Sequence, residues 1–104
     1  MPNVPLSDDT QRRVDALFAA NERAAAAQLL IEQCGDNLPF DEGQSPVQLE
    51  RIRFAALKLS AGSLTELREA VALANIDSRD VLVAAGFGSD VTAHRSWMPQ
   101  SHAV

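Results

Sequence analysis

Two capping boxes constrain this chain more than any other feature: Ser45-Pro46-Val47-Gln48 and Ser63-Leu64-Thr65-Glu66. Each places a serine acceptor at a helix N-cap and a glutamine or glutamate three residues later, so that the free amides of a first turn are met by side chains. The first box adds proline at the first helical position, where the missing N–H costs nothing. Between the boxes only Ala61-Gly62 breaks the pattern. The sequence therefore predicts a helix from Pro46 to Ser60 and another starting at Leu64.

The remaining segments follow the same logic. Ser7 to Asp9 begins a helix whose apolar stripe is Val14, Leu17 and Phe18. Asn21 is the expected cap of a second helix ending at Gly35, with Ala24, Ala27, Leu30, Ile31 and Cys34 on one face. The join at Ala19 to Asn21 is so short that one kinked helix is an alternative. On the helix from Pro46, Leu49, Ile52, Ala56 and Leu59 share a face while Val47 and Phe54 point the other way, which predicts a central helix with neighbours on two sides. Leu64, Leu67, Val71 and Ala74 form the next stripe. Asp77 caps a last short helix through Val81, Leu82, Ala84 and Ala85, stopped by Gly86 and Gly88. The expected main core is Ile52, Phe54, Leu59, Leu67 and Val71.

The expected fold is thus all-α, a compact single-domain array of four or five short helices over residues 7–87, with 1–6 and 88–104 as flexible tails. A length of 104 residues allows one domain, and seventeen alanines with five glycines and five prolines favour helix. The 17-residue stretch after Phe87 shows neither helical nor strand periodicity and is expected to add little stability. Docking of its Trp97, Met98 and Pro99 onto the domain or a second chain is the alternative. No apolar run approaches the ~18 residues of a membrane span, and no secretory leader is recognised, so a cytoplasmic location without membrane contact is expected.

Cys34 lies on an apolar stripe beside Glu32, Gln33 and Asp36, an electronegative setting that predicts a packed thiol rather than a nucleophile. His94 and His102 stand eight apart in the C-terminal stretch, without the spacing of a helical metal pair. Glu32, Asp36, Asp41 and Glu42 surround the longest loop, but lack the alternating ligands and central glycine of a calcium site. The net charge of −5 belongs wholly to residues 1–45, with eight acids against three bases; residues 46–104 carry six of each. A generic nucleic-acid surface is therefore disfavoured, and an acidic face toward a basic partner is the alternative to a solvated loop. Arg53 sits between Leu49 and Leu57 on the helical wheel and is expected to lay its stem on the core with its head in water, or to form a partly buried ion pair. No catalytic, cofactor-binding or metal-binding residue is assigned, and no enzymatic activity is expected.

Leu73-Ala74-Asn75-Ile76-Asp77-Ser78-Arg79-Asp80-Val81, within 64–87, resembles the helix-turn-helix of DNA-binding regulators. Asn75 replaces the usual turn glycine, which a left-handed asparagine would permit. The would-be recognition helix carries one cation, Arg79, flanked by Asp77 and Asp80, whereas phosphate contacts need several cations. A broader likeness runs from Leu49 to Ser60, through Leu67-Arg68-Glu69-Ala70, to Arg79 through Phe87. These segments resemble small uncharacterised bacterial all-helical proteins. That resemblance implies an all-helical fold and brings no activity, cofactor or site residue with it. The expected function is a non-enzymatic protein-interaction module or small assembly subunit, with a protein partner or a second copy of the chain. A DNA-binding regulator is the alternative.

Overall fold

In the computed structural model, which describes residues 5–34, 46–87 and Trp97, the capping signals place helix starts closely. The helices are α1 (Asp8–Leu17), α2 (Arg23–Gln33), α3 (Pro46–Ser60), α4 (Leu64–Ile76) and α5 (Ser78–Ala85), with no strand among the described residues. Ser7 caps α1 by accepting from the Thr10 amide at 3.2 Å, with Asp8 and Asp9 facing the positive end of the helix dipole. Ser63 caps α4 through the Glu66 amide, and Asp77 caps α5 through the Arg79 amide. Ser45, the cap expected for α3, lies outside the described residues.

Helices α1 and α2 are separate. Phe18 turns extended after α1 while its amide still bonds the Val14 carbonyl at 3.0 Å. Asn21 does not cap α2: Glu22 occupies that position, with helical backbone and no side-chain cap bond. The buried face also differs, because Ala26, Leu30 and Cys34 at i, i+4 and i+8 go inside. Ala27 and Ile31 are half-buried, and Ala24 is exposed. A run of four alanines gives the helical wheel no side to prefer, so packing against α1 and α4 chooses it.

Helix α3 is the axis of the fold. It packs against α1, α4 and α5, while α4 also meets α2 and α5. Every residue from Arg51 to Leu57 is buried, so the helix is enclosed around its circumference and not merely on two faces. Ile52, Phe54, Leu67 and Val71 are core residues as their spacing requires, joined by Val14, Phe18, Leu57, Val81 and Phe87. Leu59 is only half-buried, at the edge of that core. A Cα radius of gyration of 12.5 Å is close to the ~13 Å of a single compact domain of this length.

The α3–α4 turn fixes where α1 ends. Ala61 and Gly62 have φ of 50° and 88°, and the Ser60 hydroxyl ties the corner by donating to the Leu57 carbonyl and accepting from the Gly62 amide. A Cβ on Gly62 would stand 2.7 Å from the Leu17 carbonyl oxygen. Gly62→Ala is therefore expected to lose about 1–2 kcal/mol from the left-handed backbone, with a further loss from the clash. Urea unfolding reads it, and a loss below about 0.5 kcal/mol would show that α1 yields freely at its end.

The C-terminal stretch is not idle at its one described residue. Trp97 is half-buried against the core, its ring 6.3 Å from Phe54 and 6.4 Å from Phe87 between centroids. Its carbonyl accepts from Arg13 Nε at 3.1 Å. At Trp97 the docked alternative holds.

Candidate functional site

Three arginines are buried in this small domain: Arg13 at 5%, Arg51 at 7% and Arg53 at 2% exposure. A buried cation is costly unless hydrogen-bonded, and each of these meets backbone carbonyls. Arg53 donates from Nε to the Cys34 carbonyl at 2.8 Å and from Nη1 to the Pro5 carbonyl at 2.9 Å. Arg51 donates from Nη2 to the Phe87 carbonyl. Arg13 donates to the Asp9 carbonyl at 2.9 Å as well as to Trp97. The last carbonyls of a helix have no partner within it and carry its negative dipole end. No last turn of α1, α2, α4 or α5 has a basic residue of its own. At the end of α2 the Arg53 cation fills that role on the Cys34 carbonyl, and Asn75 adds a bond to the Gln33 carbonyl at 2.7 Å, while Arg51 meets the Phe87 carbonyl just past α5.

Arg53 therefore differs from its expected posture: its head is inside the protein, held by carbonyls. Arg13 was missed in the sequence although it stands on the same stripe as Val14 and Leu17. An arginine at i and i+4 spacing to Leu17 and Asp9 is the signal that could have marked it.

The Cys34 thiol is wholly buried, and burial pushes its pKa up to about 12, with the nearby Arg53 charge offsetting part of that rise. A neutral, enclosed thiol is neither nucleophile nor redox sensor at physiological pH. The native chain is expected to resist a thiol-specific reagent such as Ellman's at pH 8, whereas the urea-unfolded chain reacts in full. Equal rates in the two states would contradict the burial. The unfolded thiol releases its proton from about pH 8.5 and the folded one does not, so alkali between about pH 9 and about 12 favours unfolding.

Among the described residues no group of three His, Cys, Asp or Glu side chains converges on one point. Glu32 is exposed and accepts from Gln28 at 2.7 Å. Asp36, Asp41, Glu42, His94 and His102 lie outside the described residues.

The α4–α5 corner departs from a helix-turn-helix in two ways. Asn75 is not in a left-handed turn; it is inside α4, where its side chain bonds the Val71 carbonyl at 2.9 Å and the end of α2. The helices are joined by Asp77 alone, which is extended with φ of −157°. Arg79 is exposed, and its guanidinium faces the Asp77 carboxylate through two contacts of 3.2 Å. Those bonds hold the Asp77 carboxyl below the usual carboxylate range. The helix stop is a Schellman arrangement: Gly86 is left-handed, its amide bonds the Val83 carbonyl, and the Phe87 amide reaches Leu82 at 2.8 Å.

No family model matches this chain, and no curated protein or solved structure matches it.

The likeness to small bacterial helical proteins thus rests on the residues quoted for it alone. No helix among the described residues is long and apolar enough to cross a membrane.

Beside the exposed Arg79 and Asp80, the two helices of the α4–α5 corner expose two large apolar side chains. Ile76, the last residue of α4, is 72% exposed, and Val83, in the last turn of α5, is 69% exposed. Exposed Ala84 and Ala72 lie on the same two helices. Val81, Leu82 and Ala85 anchor the inner side of α5, so this outer side is held on a rigid support.

Proposed function

We propose that this chain is a non-enzymatic cytoplasmic protein-interaction module, with the outer side of the α4–α5 corner as its contact face. The observation that carries this reading is the exposure of Ile76 and Val83, large apolar side chains on either side of one rigid corner. Burying each against a partner removes apolar area from water, and the Asp77–Arg79 pair between them offers polar groups at the rim. A helix that shows valine, alanine and one carboxylate-paired arginine suits a protein surface better than a run of phosphates.

The test compares the wild-type chain with the double variant Ile76→Asp, Val83→Asp as crosslinking baits in lysate of the native host. Both positions are exposed, so the variant should melt within a few degrees of wild type. A protein captured by wild type and lost with the variant supports the contact face; capture unaffected by both aspartates defeats it. Mixed duplex DNA is expected to give no electrophoretic shift at micromolar protein and moderate salt. A saturable, salt-sensitive shift that disappears in Arg79→Ala would replace this reading with the regulator.

A further inference from the structure

We infer that the partner of the α4–α5 contact face is a second copy of this chain, paired through α5 about a two-fold axis that runs along the helix. The pairing presupposes the contact face proposed above and adds its occupant.

The outer side of α5 carries a pattern that fits itself. Val83 is exposed, and so are Arg79 and Asp80, four and three residues before it. At about 100° per residue, Arg79 lies about 40° to one side of the valine and Asp80 about 60° to the other. A cation therefore stands on one flank, an anion on the other, and an apolar side chain between them. Val81, Leu82 and Ala85 occupy the opposite side, where α5 packs on α3 and α4.

A two-fold axis parallel to α5 exchanges the two flanks. It sets Val83 against Val83 of the second copy and Arg79 against the second copy's Asp80, and the charge contact forms twice because the interface is isologous. Opposite charges flanking an apolar seam fix partner and direction in parallel helix pairs by the same geometry. An antiparallel pairing keeps each flank on its own side, so that Arg79 meets Arg79 and Asp80 meets Asp80, and is disfavoured by that repulsion. Arg79 already faces Asp77 through Nε and Nη2, but that pair is open to water and a guanidinium has five donors, enough for a second carboxylate. Exposed Ala84 is small enough to let the helices approach, and Ile76, exposed at the end of α4, adds apolar area where α5 begins.

The charge of the whole chain favours the same occupant. The excess of −5 belongs to residues 1–45, while residues 46–104, which include α5 and the two helices beneath it, carry six acids and six bases. Pairing through α5 joins two balanced surfaces and leaves the acidic residues of α1 and α2 out of the contact. A strongly basic or acidic partner finds no matching field on α5, whereas one charge of each sign on opposite flanks matches its own two-fold image. The apolar seam is short, so association is weak and needs high concentration.

Sedimentation equilibrium of the full chain tests this. The weight-average mass is expected to rise above 11.2 kDa between about 10 μM and about 1 mM protein. Arg79→Asp and Asp80→Arg each place like charges at both contacts and should weaken association about tenfold or more. Mixed together, the two variants set opposite charges at both contacts and should associate as wild type does. Val83→Cys gives a reading without charge substitutions: a residue on the axis meets itself, so this variant should oxidise to a linked dimer about tenfold or more faster than Ala16→Cys, exposed on α1, with Cys34 buried in both. A chain monomeric at about 1 mM, a mixture no stronger than either variant alone, or equal oxidation of the two cysteine variants overturns the second copy. If that monomeric chain still captures a different host protein through Ile76 and Val83, the second copy falls and the contact face stands. Self-association and host capture that are both indifferent to Ile76→Asp, Val83→Asp defeat the face itself.

Discussion

Phe54→Ala is expected to lower the free energy of unfolding by about 3–5 kcal/mol, the usual range for emptying a phenylalanine site in a packed core. Phe54 is 1% exposed in the middle of the central helix. Three further consequences set this site apart from an ordinary core position. The Arg13 guanidinium loses the ring 4.0 Å beneath it, and a buried cation without its aromatic neighbour is poorly solvated. Trp97 loses one of the two rings against which it packs. The void opens within the span of α3 from Arg51 to Leu57, every residue of which is buried. Typical stabilities are ~5–15 kcal/mol, so this one change approaches the whole margin of a small domain. Urea unfolding measures the loss, and Trp97 emission should shift to the red in the folded variant. Phe54→Leu, which keeps most of the volume, should cost less than half as much. A loss below about 1 kcal/mol for Phe54→Ala would mean that the ring lies at a surface.

The features legible in the sequence are those fixed by local chemistry. Helix α3 runs from Pro46 to Ser60 as its box and Ala61-Gly62 require, and Ser63, Asp77 and Gly86 mark boundaries because a cap acts on amides or carbonyls within four residues. The buried face of α2 was not legible, since Ala24 to Ala27 are equivalent until α1 and α4 select Ala26. The arginine network was not legible for a stronger reason. Arg53 finds its carbonyls 19 and 48 residues away, Arg51 at 36 and Arg13 at 84. Every residue has a carbonyl, so the acceptor leaves no mark in the sequence. On a helical wheel Arg53 looks like a flank residue, and only the convergence of α2 and the segment before α1 turns it inward. Ile76 and Val83 were obscured in the opposite way. Apolar residues beside apolar stripes read as core, and only packing reveals that α4 and α5 leave them outside.

Arg53→Met is expected to cost about 2–4 kcal/mol, the second-largest effect foreseen. Methionine keeps the length and apolar stem, so cavity formation contributes little and the loss isolates the guanidinium. Replacing a buried ion pair by apolar residues is often neutral, because both charged partners leave together. Here the partners are backbone carbonyls, which no substitution can remove. The Cys34 carbonyl, bonded at 2.8 Å in a buried setting, would be left without that donor at a cost of ~1–3 kcal/mol. The Pro5 carbonyl, at an exposed residue, can turn to water, so its share is smaller. Methionine also relieves the desolvation of the cation, which keeps the total below the sum of both bonds. Arg53→Lys should fall between wild type and Arg53→Met: it retains a charge, but a single ammonium cannot copy the fixed fork that spans Nε and Nη1. The order wild type, Lys, Met in urea midpoints, with unchanged slopes, would establish that the guanidinium joins the end of α2 to the segment before α1. If Arg53→Met were as stable as wild type, the Cys34 carbonyl would have a second source of hydrogen bonds, and the buried cation would be there for something other than holding these ends together.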